Sequence, residues 1–260
     1  MNKFRLIVDP PLSGSINMAK DHAILHCMFR EKLAPALRVY RWIEPTITIG
    51  YFQSVNTAVN RDYCSRRKIP IIRRETGGGT VLHHIELSYG FTVPLHSNLI
   101  PAESVDESFR KIISPIINTL KMFVDGVEYR PVNDIVINKK KISGSAQIRK
   151  DGIMQQHGTI IVDIDDEIVT SAIFHDEDKL KSRGFSSPRR SLTSIREKIR
   201  DETGKDIDDR FLEEFVASMI SCFSEEFNAD FVGSDISESE NSIMETYTKR
   251  FASDEWNFKK

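Results

Sequence analysis

The sequence predicts an α+β fold, and three observations carry that prediction. β-rich runs come in clusters, helical stretches lie between the clusters, and the two do not alternate strictly. In chain order, Asn17 is a candidate N-cap for a helix with Met18, His22, Leu25 and Phe29 on one face. Two β-rich runs follow, LRVYRW (37–42) and TITIGY (46–51), separated by Ile43, Glu44 and Pro45 and expected to pair. LSYGFTV (87–93) is a further strand. A helix is expected from Ala102 to Met122, with Val105, Phe109, Ile112, Ile116 and Leu120 on its buried stripe and a kink at Pro115. Strands NDIVIN (133–138), KKISGSAQ (140–147) and HGTIIVD (157–163) come next, and over 209–223 Phe211, Leu212, Phe215, Val216, Met219, Ile220 and Phe223 recur at helical spacing as core.

Composition narrows the class. The chain has 260 residues, 40% hydrophobic and 28% charged, as expected of a soluble globular protein in a single domain over 1–260. No apolar run approaches the ~20 residues of a membrane helix. MNKFRLIVDPPLSGS breaks at two prolines before a signal-peptide core could form, so a cytoplasmic location is expected. Cys27, Cys64 and Cys222 lack metal-ligand spacing, and Cys27 and Cys222 are expected to be buried thiols. Residues 1–150 carry 22 Lys+Arg against 13 Asp+Glu, and 151–260 carry 14 against 25. A basic first part suits anionic ligands, although two solvated faces of opposite sign would have the same composition.

Three segments do not look like packing. In RRETGGGTVLHH (73–84) the run Gly77, Gly78, Gly79 suits a close backbone approach or positive φ, with N–H groups able to cradle an oxygen and Arg73 and Arg74 adding charge. A tight turn between strands fits GGG equally well, and no Gly-Lys-Ser/Thr follows as in a phosphate loop. In NDIVINKKKISGSAQ (133–147) a hairpin between 134–137 and 141–145 would bring Asp134 and Lys141 to one site. There Asp134 could hold Mg²⁺ and Lys141 could neutralise a phosphate or acyl oxygen, while Lys139 and Lys140 are solvated turn residues. In QQHGTIIVD (155–163) His157 opens a strand and, taken alone, is best explained as a structural histidine.

Taken in this order and spacing, the three segments resemble the lipoate–protein ligase family, part of a wider group with biotin ligases and octanoyltransferases. INMAKDHAIL, RVYRWIEPTITIGYFQ (38–53) and ASDEWNF (252–258) extend the likeness over nearly the whole chain. The resemblance implies a large mixed sheet and a smaller sheet flanked by helices, as in class II synthetases. It implies ATP and Mg²⁺ as cofactors, lipoate or octanoate as substrate, and an acyl-AMP intermediate that acylates a lysine. By matching position, Lys141 would contact the acyl carbonyl and phosphate oxygens, and Asp134 would hold Mg²⁺ with Asn133 beside it. Arg74 and Gly77 to Gly79 would line the acyl-adenylate site. His83, Ser143, Gly144, Ser145, His157, Gly158 and Thr159 fall in the same motifs.

Within that group the resemblance leaves two chemistries, an ATP-dependent ligase and an ATP-independent octanoyltransferase drawing on acyl carrier protein. The absence of cysteine between Cys64 and Cys222 argues against a thiol mechanism. DKLKSRGFSSPRRSLTSI (178–195), containing Arg183, Gly184 and Phe185, resembles the ligase segment that folds over adenylate. The ligase is therefore the expected activity. Two features run the other way: His83-His84-Ile85-Glu86 stands where ligases have His-Asp-Leu-Gly, and GYFQ and ASDEWNF look like the octanoyltransferases. The expected partner is a lipoyl domain, a glycine-cleavage carrier or a lipoate-binding protein. A separate C-terminal accessory domain is expected to be absent, with a small subunit as its possible replacement. Neither nucleic acid nor membrane is expected as a partner.

Overall fold

The computed structural model describes residues 2–259. Its first half runs β1 (Asn2–Val8), α1 (Gly14–Glu31), β2 (Ala36–Tyr40), β3 (Thr46–Ile49), α2 (Val55–Ala58), α3 (Arg61–Arg67), β4 (Ile71–Arg73), β5 (Val81–His83), β6 (Glu86–Pro94) and α4 (Val105–Lys121). The second half runs β7 (Val127–Arg130), β8 (Asp134–Ile137), β9 (Lys140–Lys150), β10 (Ile153–Ile161), α5 (Asp166–Ala172), α6 (Glu177–Ser182), a 3₁₀ turn at Arg189–Ser191, α7 (Ile195–Thr203), α8 (Asp209–Phe227), β11 (Ala229–Gly233), α9 (Glu238–Phe251) and α10 (Asp254–Asn257). The eight-stranded mixed sheet has the order β11-β1-β2-β6-β10-β9-β8-β7, and the three-stranded sheet is β4-β3-β5. This is the α+β architecture anticipated, with a large sheet, a smaller sheet and flanking helices.

Strand alternation sends successive side chains to opposite faces of the large sheet. Leu37, Tyr89 and Phe91 join Ile112 and Ile116 of α4 and Phe215 and Phe223 of α8 in the main core. From the other face Arg38 bonds Asn17 and Asp21 of α1. Gly90 lies under that same helix: a Cβ there would sit 3.4 Å from the Asp21 carboxylate.

Several local expectations change. Ser13 is the N-cap residue of α1, and Asn17 is instead buried within the helix, donating to the Leu12 and Arg41 carbonyls, while Phe29 is exposed. The runs at 37–42 and 46–51 do not pair: β2 lies between β1 and β6, and β3 belongs to the small sheet. Both runs are rich in β-branched or aromatic residues, and their partners other than β5 and β4 lie far along the chain. The expected helix at 102–122 runs from Val105 to Lys121 with Pro115 inside it, the loss of one backbone bond outweighed by the burial of Phe109, Ile112, Ile116 and Leu120. Cys27 is buried as expected, and Cys222 is half-buried.

Candidate active site

A cavity of about 290 Å³ lies between the large sheet, at β6, β9 and β10, and the small sheet with its glycine loop. That is near the lower end of the ~300–1,000 Å³ of small-molecule sites. Lys141, Arg74, Gly78, Gly79, His83 and His157 all line it, together with apolar side chains that include Val81, Leu82 and Ile161.

The Lys141 corner follows directly from a hairpin. Asn138 and Lys139 both take positive φ (49° and 68°), as a two-residue turn between twisted strands requires, and β8 pairs with β9. The turn brings the Lys141 ammonium to 2.7 Å from Asp134 Oδ1, while Arg130 reaches Asp134 Oδ2 at 2.8 Å. Burial works to raise the Asp134 carboxyl, but Lys141 and Arg130 outweigh it and hold the group below its ordinary range. A glycine is needed at 144, because a Cβ there would stand 2.4 Å from Lys141 Nζ. Lys139 is exposed as expected, whereas Lys140 is half-buried and pairs with Glu197 at 3.3 Å.

The opposite corner is built around Arg74. It is buried, and among the described residues no carboxylate lies within ion-pair distance of it. Burial pushes its guanidinium down to about 10. Its donors go to the Gly77 and Gly79 carbonyls (3.1 and 2.9 Å) and to two threonine hydroxyls, Thr48 at 2.6 Å and Thr76 at 3.3 Å. Each hydroxyl is bonded to a histidine Nε2: Thr48 to His83 at 2.7 Å and Thr76 to His157 at 2.8 Å. Each histidine Nδ1 meets a carboxylate, His83 with Glu86 at 2.6 Å and His157 with Asp21 at 3.1 Å. The network therefore assigns the Nδ1–H tautomer to both rings, with Thr donating to Nε2. Burial also pushes His83 below the ordinary histidine range, the Glu86 charge opposing it. Two threonine–histidine–carboxylate relays thus hold one buried arginine.

Arg74 in turn shapes the glycine loop. Gly78 has φ +97° and approaches Gly50 so closely that a Cβ on Gly50 would fall 2.1 Å from the Gly78 carbonyl oxygen. The loop carbonyls turn to Arg74, and none of the three glycine N–H groups donates to a backbone carbonyl among the described residues. Arg73, expected to add charge beside the glycines, faces away. Its guanidinium binds carbonyls of Gly50, Tyr51, Gln53, Trp256 and Asn257, so it anchors the C-terminal segment.

Other anticipated residues divide. Asn133, Gly144, Ser145, Gly158 and Thr159 line the cavity; Ser143 does not, being buried with its hydroxyl unpartnered. Arg183 and Phe185 line an adjoining cleft of about 260 Å³ that shares Lys141 with the cavity, while Gly184 lines neither and takes φ +80°. The segment 178–195 is not one extended loop: it contains the end of α6, the 3₁₀ turn and the start of α7. Arg189 within it is tied to Asp166 and Glu197. A Mg²⁺ role for Asp134 does not fit its surroundings, since both oxygens already face cations, which disfavours a dication. No group of three His, Cys, Asp or Glu among the described residues could hold a metal. Sequence reasoning missed Thr48, Thr76, Asp21 and Gly50, whose roles arise only when distant strands meet.

Comparison with known proteins gives a concordant picture of the family and a different one of the reaction. The lipoyl protein ligase A/B catalytic domain family matches residues 13–216. The chain is 30% identical over 281 residues to Octanoyltransferase LipM of Clostridioides difficile, covering 100% of both chains. It is also 30% identical to Octanoyltransferase LipM of Kyrpidia tusciae, again over 100% of both. Among solved structures it resembles the bipartite lipoate protein ligase of Thermoplasma acidophilum, determined with its E2 lipoyl domain (TM-score 0.81, 25% identity, 99% of this chain and 97% of that one). The full-length likeness to octanoyltransferases overturns the expectation of an ATP-dependent ligase. The motifs in 73–84, 133–147 and 155–163 resemble the whole group, ligases and octanoyltransferases alike, and so do not separate the two reactions. A basic, glycine-containing segment at 178–195 is also equally available to a structured wall.

Proposed function

The chain belongs to the lipoyl protein ligase A/B catalytic domain family, and from that premise we propose that it is an octanoyltransferase. It moves a medium acyl chain from a carrier-protein thioester to a lysine ε-amine of a lipoyl-domain acceptor, without ATP. Acyl transfer is supported by the Lys141 ammonium, oriented by Asp134 at 2.7 Å in the wall of a largely apolar cavity, and the ATP-free donor by the full-length likeness to octanoyltransferases.

The acyl chain lies against Val81, Leu82 and Ile161, where its burial contributes about 0.8 kcal/mol per methylene. Its carbonyl oxygen faces Lys141 and the N–H groups of the glycine loop. Attack on the carbonyl carbon moves negative charge onto that oxygen, and a preorganised cation with amide donors stabilises it most in the tetrahedral state. Arg74 does not contact the chain; it fixes the loop by binding the Gly77 and Gly79 carbonyls. Gly144 and Gly158 admit the strand to this packing, since a Cβ at 158 would meet the Tyr89 ring at 2.6 Å.

Intact-mass measurement of a purified lipoyl domain, incubated with the protein and octanoyl-carrier protein but no nucleotide, tests the proposal. One octanoyl group on the acceptor lysine is expected, and Lys141→Ala is expected to abolish it. Modification obtained only from free acid with ATP would overturn the proposal.

A further inference from the structure

We propose that the large sheet measures the acyl chain: the chain crosses its strands from Lys141 toward β2, and Tyr40 with Met18 ends it at about eight carbons. This rests on the acyltransferase reading above and adds the residues that set chain length.

The floor of the cavity is one registered row. Gly144 on β9 stands opposite Thr159 on β10, Thr159 opposite Ser88 on β6, and Ser88 opposite Tyr40 on β2. All four line the cavity. Strand alternation puts them on the face that carries His157 and Arg38, away from the core around Tyr89 and Phe91. At its β9 end the row lies under Lys141, whose Nζ would be 2.4 Å from a Cβ on Gly144. That end is open, because Lys141, Ile173, His175, Ser191 and Leu192 also line the adjoining cleft. The β2 end is closed. Met18 and Tyr40 are 4% and 3% exposed and share one apolar cluster with Trp42 and Ile72. The polar groups beside them are already bonded: Tyr40 donates to Asp21 at 3.2 Å, Trp42 Nε1 to Ser88 at 2.9 Å, and Ser88 to Glu86 at 2.7 Å. The chain end therefore meets ring and thioether surface, which suits a methyl group and leaves a charged or hydroxylated terminus without partners.

The spacing of the row sets the length. Neighbouring strands lie about 4.8 Å apart, so Tyr40 stands roughly 14 Å along the row from Gly144. Carbon atoms touch at about 3.5–4.0 Å, which leaves roughly 10.5 Å for the chain. A saturated chain with bonds of ~1.5 Å at ~111° advances about 1.25 Å per bond. Extended octanoyl therefore measures about 9 Å from carbonyl carbon to methyl and fits. Decanoyl, at about 11 Å, overruns the space by less than one bond, and dodecanoyl, at about 14 Å, is stopped by the end wall.

Calorimetric titration of the protein with sodium hexanoate, octanoate, decanoate and dodecanoate reads the ruler without any transfer. Affinity should rise about 4-fold per methylene up to octanoate and be at least ~10-fold lower for dodecanoate. Affinity that keeps rising through dodecanoate would overturn the proposal. Met18→Ala removes Cγ, Sδ and Cε from the end wall, so the decanoate-to-octanoate affinity ratio should increase at least ~10-fold. Met18→Val, a smaller cut, should move the ratio the same way by at least ~3-fold if the alanine variant does not fold. An unchanged ratio in a variant with the parent circular dichroism spectrum would overturn the role of the end wall. Competition between equimolar octanoyl- and decanoyl-carrier protein, with acceptor products counted by mass, should shift in parallel. Length-selective binding of the free acids with no transfer from either thioester would sink the acyltransferase reading and leave the ruler standing. Equal transfer from octanoyl and dodecanoyl donors would do the reverse.

Discussion

Replacing Gly144 with alanine perturbs the proposed chemistry without touching a charged group. The added Cβ would lie 2.4 Å from Lys141 Nζ and 2.6 Å from its Cε, while Asp134 Oδ1 sits at an ordinary 3.4 Å. Restoring contact to 3.4 Å requires the ammonium to withdraw by 3.4 − 2.4 = 1.0 Å. The lysine is the mobile partner, because β9 is held by ladders to β8 and β10 while Nζ ends a flexible chain. A misplacement of that size costs about 100-fold in rate for a preorganised group. The Lys141 side chain is 33% exposed, so loss of its pairing with Asp134 should cost only about 1 kcal/mol in stability. That corresponds to roughly 2–4 °C in Tm for a chain of this size. The assay is the initial rate of acceptor modification, alongside a thermal melt. Combining Gly144→Ala with Lys141→Ala should add no further loss, since both act through one ammonium. A Gly144→Ala variant with the parent rate and a normal melt would refute the placement of Lys141 at the reacting carbonyl.

Three further outcomes follow from the same geometry. Gly158→Ala should cost about 1–3 kcal/mol by thermal unfolding, because the new Cβ meets a fully buried Tyr89 ring at 2.6 Å; an unchanged Tm would show that the ring yields. Arg74→Lys should reduce the transfer rate at least ~10-fold, as a single ammonium cannot hold two carbonyls and two hydroxyls in fork geometry; full activity would refute its role in shaping the loop. Asp21→Asn should cost about 3–5 kcal/mol at pH 7, since it strips a buried Arg38 of a partner at 2.7 Å. Burial raises the Asp21 carboxyl but Arg38 and His157 outweigh it, so its folded pKa lies below the unfolded value. Its contribution is therefore present above about pH 4 and lost as pH falls through the folded value. The gap in urea unfolding between parent and variant should start to narrow below about pH 4 and close only beneath the folded value, and a constant gap would contradict this.

How much was legible in the sequence depended on distance along the chain. The 134–145 hairpin was readable because the two strands are adjacent and the charged pair sits at its base. The helix at 209–223 was readable because its apolar period is local, and it extends to Phe227. Neighbouring arginines were not separable: Arg73 and Arg74 have the same chemistry, but one anchors the C-terminal segment and the other the glycine loop. His157 seemed structural from its own surroundings, and its bonds to Thr76 and Asp21 span 81 and 136 residues. The reaction type was the least legible part. A cavity with a lysine in its wall suits any activated acyl donor, so residues that recognise the acyl group do not reveal how it was activated.

Transfer from a thioester to a lysine at the Lys141 cavity is decided by following donor and acceptor together. Free carrier thiol would be titrated while octanoylated acceptor is counted by mass, in the absence of nucleotide. The expected result is one thiol released per amide formed, with both signals lost in Lys141→Ala. Thiol release without acceptor modification, or modification that waits for ATP, would contradict it.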